Sequence, residues 1–225
     1  MMDLHEALWQ HNFKRVKELV ESGVELNTDE SWPPLLIAAF EGDAQVVKYL
    51  LTHGAKPTGT ILGESIYWGV QPHMFKRLLK AGIDPNIQEG RRTPLLVNAA
   101  RFGRHRIASL LLEAGADPNL PEAGGTTALM MASYYAHLNI LEKLWAYGAD
   151  INQRDDNGEN ALFYAVAWSA PLSVFKWLVE HGIDLSVRTK KEGLSILQWL
   201  RGPDDPNYNP NNEVDRYLVA CGAKL

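Results

Sequence analysis

The chain has 225 residues, 46% of them hydrophobic, and a formal net charge of −5 at neutral pH. This composition excludes a disordered chain, and the acidic balance argues against nucleic-acid binding, which needs a basic surface. The opening residues, Met1 to Glu6, do not resemble a secretion signal, and no apolar stretch reaches the roughly 18–20 residues of a membrane span. The single cysteine, Cys221, cannot form an internal disulfide, so we expect a cytoplasmic protein.

One short pattern recurs seven times: two adjacent, mostly apolar residues, two further residues, and then glycine. Successive glycines are 31, 28, 33, 33, 34 and 40 residues apart. A period near 33 residues is typical of stacked repeat proteins, in which each unit buries its apolar face against its neighbours. We therefore predict a single domain over 1–225, with units at approximately 1–27, 28–57, 58–86, 87–119, 120–152, 153–185 and 186–225. The seven glycines are Gly23, Gly54, Gly82, Gly115, Gly148, Gly182 and Gly222.

The unit that begins at Trp32 shows what a repeat contains. Residues 33–39 predict a helix that opens with proline, which the first turn tolerates because its N–H groups have no helical partner. Residues 41–43 predict a turn. Residues 44–53 have the spacing of an amphipathic helix, and Gly54 is expected to end it in the left-handed conformation.

Three units depart from this pattern. The third has the 28-residue interval, which predicts a shortened turn between its two helices. The last contains three prolines within 202–212, which predict a long, non-helical connection between its helices. The first unit is expected to be a terminal cap that completes the array, because it carries charged residues for a face in water, namely Glu6, Lys14, Arg15 and Glu18.

The phrase Thr93-Pro94-Leu95-Leu96, followed by Ala99-Ala100, resembles the start of the first helix of an ankyrin repeat. Looser copies lie at 127–133 and 160–166, and a closing phrase built on Gly-x-Asp recurs after the second helices. The resemblance covers nearly the whole chain. It implies an all-α ankyrin-repeat solenoid of stacked helix-turn-helix units joined by hairpin-like turns. It also implies a non-enzymatic protein that binds another protein.

The residue patterns of catalysis and metal binding are not found. No pair among the seven histidines has the spacing of a zinc site, and Cys221 has no adjacent base. The run Asp155-Asp156-Asn157-Gly158 lacks the remaining ligands of a calcium loop, and we interpret it as a polar turn. We therefore predict no catalytic residue, no cofactor and no metal ion, and we consider an enzyme the weaker alternative.

Large aromatic residues follow the small residues that end most of the first helices. In a stack, these rings would line one side of the solenoid, its concave groove, and aromatic side chains often dominate binding interfaces. The alternative is that the rings only pack against neighbouring units. We expect the row to be broken at the third unit, which has no such residue in the expected place. The row consists of Trp9, Phe40, Phe102, Tyr134 with Tyr135, and Trp168.

A group of arginines lies in the fourth unit, while acids such as Asp155 gather further along the chain. Arginine binds carboxylates well, so the group could steer a partner with an acidic patch; the alternative is an ordinary solvated surface. The arginines are Arg91, Arg92, Arg101, Arg104 and Arg106.

We predict a protein that is monomeric alone and binds a partner protein, rather than nucleic acid or a membrane, through its concave groove and turn tips. An inhibitor or immunity protein that occludes an enzyme or toxin is the alternative within this class. The predicted contact residues are Phe40, Arg91, Arg92, Arg101, Phe102, Tyr134, Tyr135, Asp155 and Trp168.

Overall fold

The structure is a computed structural model that describes residues 2–28, 32–56, 58–80, 84–88, 93–202 and 212–225, and all side chains there except those of 59–61. These residues contain fourteen helices and, apart from one isolated antiparallel bridge between Arg188 and Ser195, no β-structure. The all-α prediction is confirmed. The helices are α1 (Leu4–Trp9), α2 (Phe13–Glu21), α3 (Pro34–Phe40), α4 (Ala44–Thr52), α5 (Gly59–Trp68), α6 (Pro72–Lys80), α7 (Leu95–Arg101), α8 (His105–Glu113), α9 (Ala128–Tyr134), α10 (Leu138–Ala146), α11 (Ala161–Ala167), α12 (Leu172–Glu180), α13 (Ile196–Arg201) and α14 (Glu213–Ala220).

The helices form consecutive pairs, and the pairs stack in chain order. The first helix of each pair, from α1 to α13, packs against the first helix of the next pair. Second helices also touch, for example α6 with α8 and α8 with α10. One apolar cluster runs through the stack from Leu4 to Ala223. The core therefore lies between units, as the repeat pattern predicts.

Glycine ends the second helices as predicted. Among the seven repeat glycines, the six that the structure describes have φ between 85° and 98°. Their neighbours close the helix with backbone hydrogen bonds, as where the N–H of Ala116 donates to the carbonyl of Leu111 at 2.9 Å. Gly82 lies outside the described residues. Glycine is favoured at these positions because a Cβ makes the left-handed conformation costly.

The variant Gly115→Val is expected to lower the free energy of unfolding by about 1–2 kcal/mol. The reason is the backbone alone, since φ is +92° and a Cβ at this position would have no other atom within 4 Å. Urea unfolding followed by circular dichroism measures the loss. An unchanged midpoint would show that the left-handed conformation is not required.

Asparagine side chains connect the turns of successive units. The Asn119 amide donates to the carbonyl of Gly148 at 3.1 Å, and its Oδ1 accepts from the N–H of Asp150 at 2.7 Å. Because each bond crosses to the next unit, these rungs fix the spacing of the turns. The sequence shows the repeated asparagine but not its partners. Equivalent pairs of bonds are made by Asn27, Asn86 and Asn152.

The third unit is shorter than the others in a different place from the one predicted. Its two helices are joined by residues 69–71, a turn as long as residues 41–43 in the second unit. The prediction of a shortened turn is therefore wrong. The shortening lies before α5, where residues 53–58 connect the second unit to the third. The corresponding connection between the fourth and fifth units is longer and consists of residues 114–127. Gly69, with φ of +79°, closes a helix–helix turn of normal length.

The last unit has the long connection that the prolines predict. Residues 202–212 separate α13 from α14, and 203–211 lie outside the described residues. The side chain of Asn212 starts α14 by accepting from the N–H of Val214 at 2.9 Å.

Candidate interaction surface

The predicted aromatic residues, together with Trp68, occupy two adjacent positions at the ends of the first helices. Each either is the last residue of its helix or caps it, so it lies beside the turn to the second helix. Trp9, Phe40, Trp68 and Tyr134 end α1, α3, α5 and α9, and Phe102, Tyr135 and Trp168 cap α7, α9 and α11.

Six rings form a continuous group, which we call the N-terminal ring cluster. Trp32 contacts Phe40 at 5.5 Å between ring centroids and Trp68 at 5.2 Å. Tyr67 contacts Trp68 at 5.0 Å and Phe102 at 5.2 Å. The sixth ring, Trp9, contacts both Trp32 and Phe40. The cluster therefore extends without interruption from the first unit to the fourth.

The expectation that the row is broken at the third unit is wrong. Trp68 fills the place, and Tyr67 carries the contact onward to Phe102. Both were missed because no alanine pair precedes them. The available signal was Gly69, which follows Trp68 as Gly103 follows Phe102. Trp32 was missed because it precedes its helix instead of ending it.

Tyr134, Tyr135 and Trp168 form a second group, the C-terminal ring cluster. The centroid of Tyr134 lies 4.8 Å from Tyr135 and 5.2 Å from Trp168, the latter in a stacked arrangement. His137 stacks on Tyr135 at 6.1 Å and lies against Gly103, where a Cβ would come within 2.8 Å of the imidazole. Burial lowers the pKa of His137, which favours the neutral form of its ring. The imidazole therefore lies beside the backbone of Gly103, the residue that follows Phe102.

Many of these rings remain open to solvent although the helices beneath them are fully packed. Trp168 is 60% exposed and Tyr67 is 52% exposed, and Trp9, Phe40 and Trp68 are also exposed. By contrast, the rings of Phe75 and Phe163 are completely buried in the core. Packing within the chain therefore accounts for only part of the aromatic surface at this edge. We call the two ring clusters together the ring surface.

The described arginines of the fourth unit, Arg101, Arg104 and Arg106, do not form one patch. Arg101 forms an ion pair with Glu122 and also donates to the side chain of Asn98 at 2.8 Å. Arg104 donates to the carbonyl of Ile66 at 3.1 Å and to that of Tyr67 at 3.2 Å, which ties α5 to the next unit. Arg106 lies exposed on α8, a second helix. Arg91 and Arg92 lie outside the described residues.

Asp155, which the sequence predicts to contact a partner, is buried, and this corrects the expectation that its carboxylate is open to a partner. It is 4% exposed, and its carboxylate accepts from the N–H groups of Asn157 and Glu159 at 2.9 and 2.8 Å. The hydroxyl of Tyr164 donates to its other oxygen at 2.9 Å. Asp155 therefore stabilises the turn before α11. Burial, with the nearby Asp155 charge, raises the pKa of Glu159.

The described residues contain no group of three or more histidine, cysteine, aspartate or glutamate side chains that could hold a metal ion. In the same part of the chain, every helix is too short or too polar to cross a bilayer.

Comparison with protein-family models finds ankyrin repeats in three overlapping copies, at residues 4–89, 62–155 and 96–189. These matches together extend over most of the chain and over both ring clusters. A search of curated proteins finds no match.

Proposed function

Because the chain belongs to the ankyrin-repeat family, we propose that it is a non-enzymatic module that binds a partner protein through the ring surface. Repeats of this family generally mediate protein–protein interaction. The proposal places the chain in the cytoplasm, where a reducing environment would keep the exposed Cys221 as a free thiol.

The observation that carries the proposal is the contact between exposed rings across successive units. An aromatic side chain buries about 150–250 Å² when it is covered, and such side chains are enriched among interface residues with large energetic effects. Covering two of these rings would contribute a few kcal/mol to the free energy of binding. A difference of about 4 kcal/mol separates a micromolar from a nanomolar dissociation constant. The ion pair of Arg101 with Glu122 supplies a polar margin beside Phe102.

We expect the variants Tyr135→Ala and Trp168→Ala each to weaken partner binding by about tenfold or more. The reason is that each removes a ring of the C-terminal ring cluster while the buried helix residues stay in place. The partner is first captured from an extract of the source cells with the wild-type chain. Its dissociation constant is then measured for each variant by calorimetry, together with the melting temperature.

Trp145→Ala is the matched control. Trp145 is also a solvent-exposed tryptophan, but it lies on the second helix α10 and contacts His181 at 5.3 Å. Its loss should leave the affinity unchanged. If the ring variants bind as tightly as wild type, or if all three variants lose affinity equally, the ring surface is not the interface. If the partner is an enzyme, its activity in the complex shows whether the chain acts as an inhibitor.

A further inference from the structure

Positive charge is concentrated on three neighbouring second helices, although the chain as a whole is acidic. Helices α4, α6 and α8 carry five lysine and arginine residues and a single acid, Glu113. Their net formal charge is therefore +4, within a chain of net charge −5. All five cationic residues are exposed, and they are Lys48, Lys76, Arg77, Lys80 and Arg106.

A groove lies between α6 and α8, two of these three helices. It has a volume of about 280 Å³. Pro72 and Leu110 contribute apolar surface to it, and Lys76 and Arg106 contribute positive charge. His73, His105 and one acid, Glu113, also line the groove, so its lining combines apolar surface with two cations and a single anion.

The two cations of this groove, Lys76 and Arg106, are not paired within the described part of the chain. There, Lys76 and Arg106 make no hydrogen bond and no ion pair. Arg101, by contrast, is paired with Glu122 on the ring surface. Unpaired like charges on adjacent helices attract anions and raise the rate of encounter with an acidic partner.

We propose that this groove binds an acidic segment of a protein. Carboxylates of the segment would pair with Lys76 and Arg106, and an apolar side chain would cover Leu110. The groove favours a peptide over a lipid surface because a flat layer of headgroups does not reach apolar residues between two helices. The inference rests on α6 and α8 alone and holds whether or not the ring surface binds a partner.

The test uses a short fluorescein-labelled peptide of alternating glutamate and leucine, with a glutamine–leucine peptide as its neutral counterpart. Binding to the full chain is followed by fluorescence anisotropy at low salt. We expect Lys76→Glu and Arg106→Glu each to weaken binding of the glutamate peptide by about fivefold or more. The wild-type affinity should fall as salt is added, because exposed charges are screened.

Lys176→Glu is the matched control. Lys176 is exposed and is the fifth residue of α12, as Lys76 is the fifth residue of α6, and both variants change the net charge equally. The affinity of the Lys176→Glu variant for the glutamate peptide should stay within about twofold of the wild-type affinity. Melting temperatures verify folding, and glutamine replaces glutamate at the same position, as in Lys76→Gln, if a charge-reversal variant unfolds.

Three results would overturn the proposal. An equal loss of affinity in the Lys76 and Lys176 variants would show that only the net charge matters. Equal binding of the glutamine peptide would show that charge does not select the ligand. Binding of phosphatidylserine vesicles without binding of the glutamate peptide would identify a lipid-binding face instead.

Discussion

Replacing Arg201 with alanine is expected to lower the free energy of unfolding by about 3 kcal/mol. The guanidinium of Arg201 donates two hydrogen bonds of 2.8 Å to the two carboxylate oxygens of Asp215. The Asp215 side chain is only 4% exposed, so the variant leaves a buried carboxylate without its cation. The pair joins α13 to α14 across residues 202–212, and its loss should therefore weaken the last unit. Urea unfolding with a far-ultraviolet signal measures the effect.

Two controls separate the buried pair from a general loss of charge. Arg154→Ala breaks the exposed ion pair with Asp184 and should cost less than about 1 kcal/mol. The double variant Arg201→Ala/Asp215→Ala should cost less than the sum of its single variants, because the second change removes the uncompensated carboxylate. The buried pair would contribute no more than an exposed ion pair if the losses of the two single variants add in the double variant. The same conclusion would follow if Arg201→Ala and Arg154→Ala lower the free energy of unfolding equally.

The variant Gly125→Ala should destabilise the chain by about 3 kcal/mol. Gly125 has φ of +84°, which costs an alanine about 1–2 kcal/mol. An added Cβ would also lie 2.8 Å from the Cα of Asp155 and from the backbone nitrogen of Asp156. Because backbone atoms of the next turn cannot rotate away, the two turns must separate, and the hydrogen bond from Asp156 to Gly124 would weaken. Thermal and urea unfolding both report the loss.

Gly124→Ala is the control for this variant. Gly124 has φ of +92°, but a Cβ there would meet no atom within 4 Å. Its substitution should cost about 1–2 kcal/mol from backbone conformation alone. Equal losses in the two variants would mean that the close approach of the turns contributes nothing.

Local chemistry explains which features could be predicted from sequence. A glycine after an apolar pair ends a helix because of its own backbone freedom, so Gly54 and Gly115 were identified without knowledge of any neighbour. The prolines of 202–212 likewise predict a long connection wherever the segment lies, and α13 and α14 are separated by these residues. Helix positions and the stacked arrangement follow from such signals.

Contacts between units explain which features could not be predicted. Arg104 donates to a carbonyl 38 residues earlier, and nothing in the repeat period indicates that a fourth-unit arginine is used in this way. Asp155 looked like an exposed acid, yet the hydroxyl of Tyr164 and two backbone N–H groups surround it. Trp68 has no alanine pair before it, and only the helix end marked by Gly69 places it in the row of rings.

The short connection 53–58 between α4 and α5 divides one edge of the molecule. Longer connections precede α3 and follow α6, and 53–58 contain no asparagine that could make a rung to the next unit. The asparagine hydrogen bonds that join successive turns therefore stop after 53–58 and resume at Asn86. A ligand that contacted turns on both sides of this gap would be held at two places, and two weak contacts joined in one molecule raise each other's effective concentration.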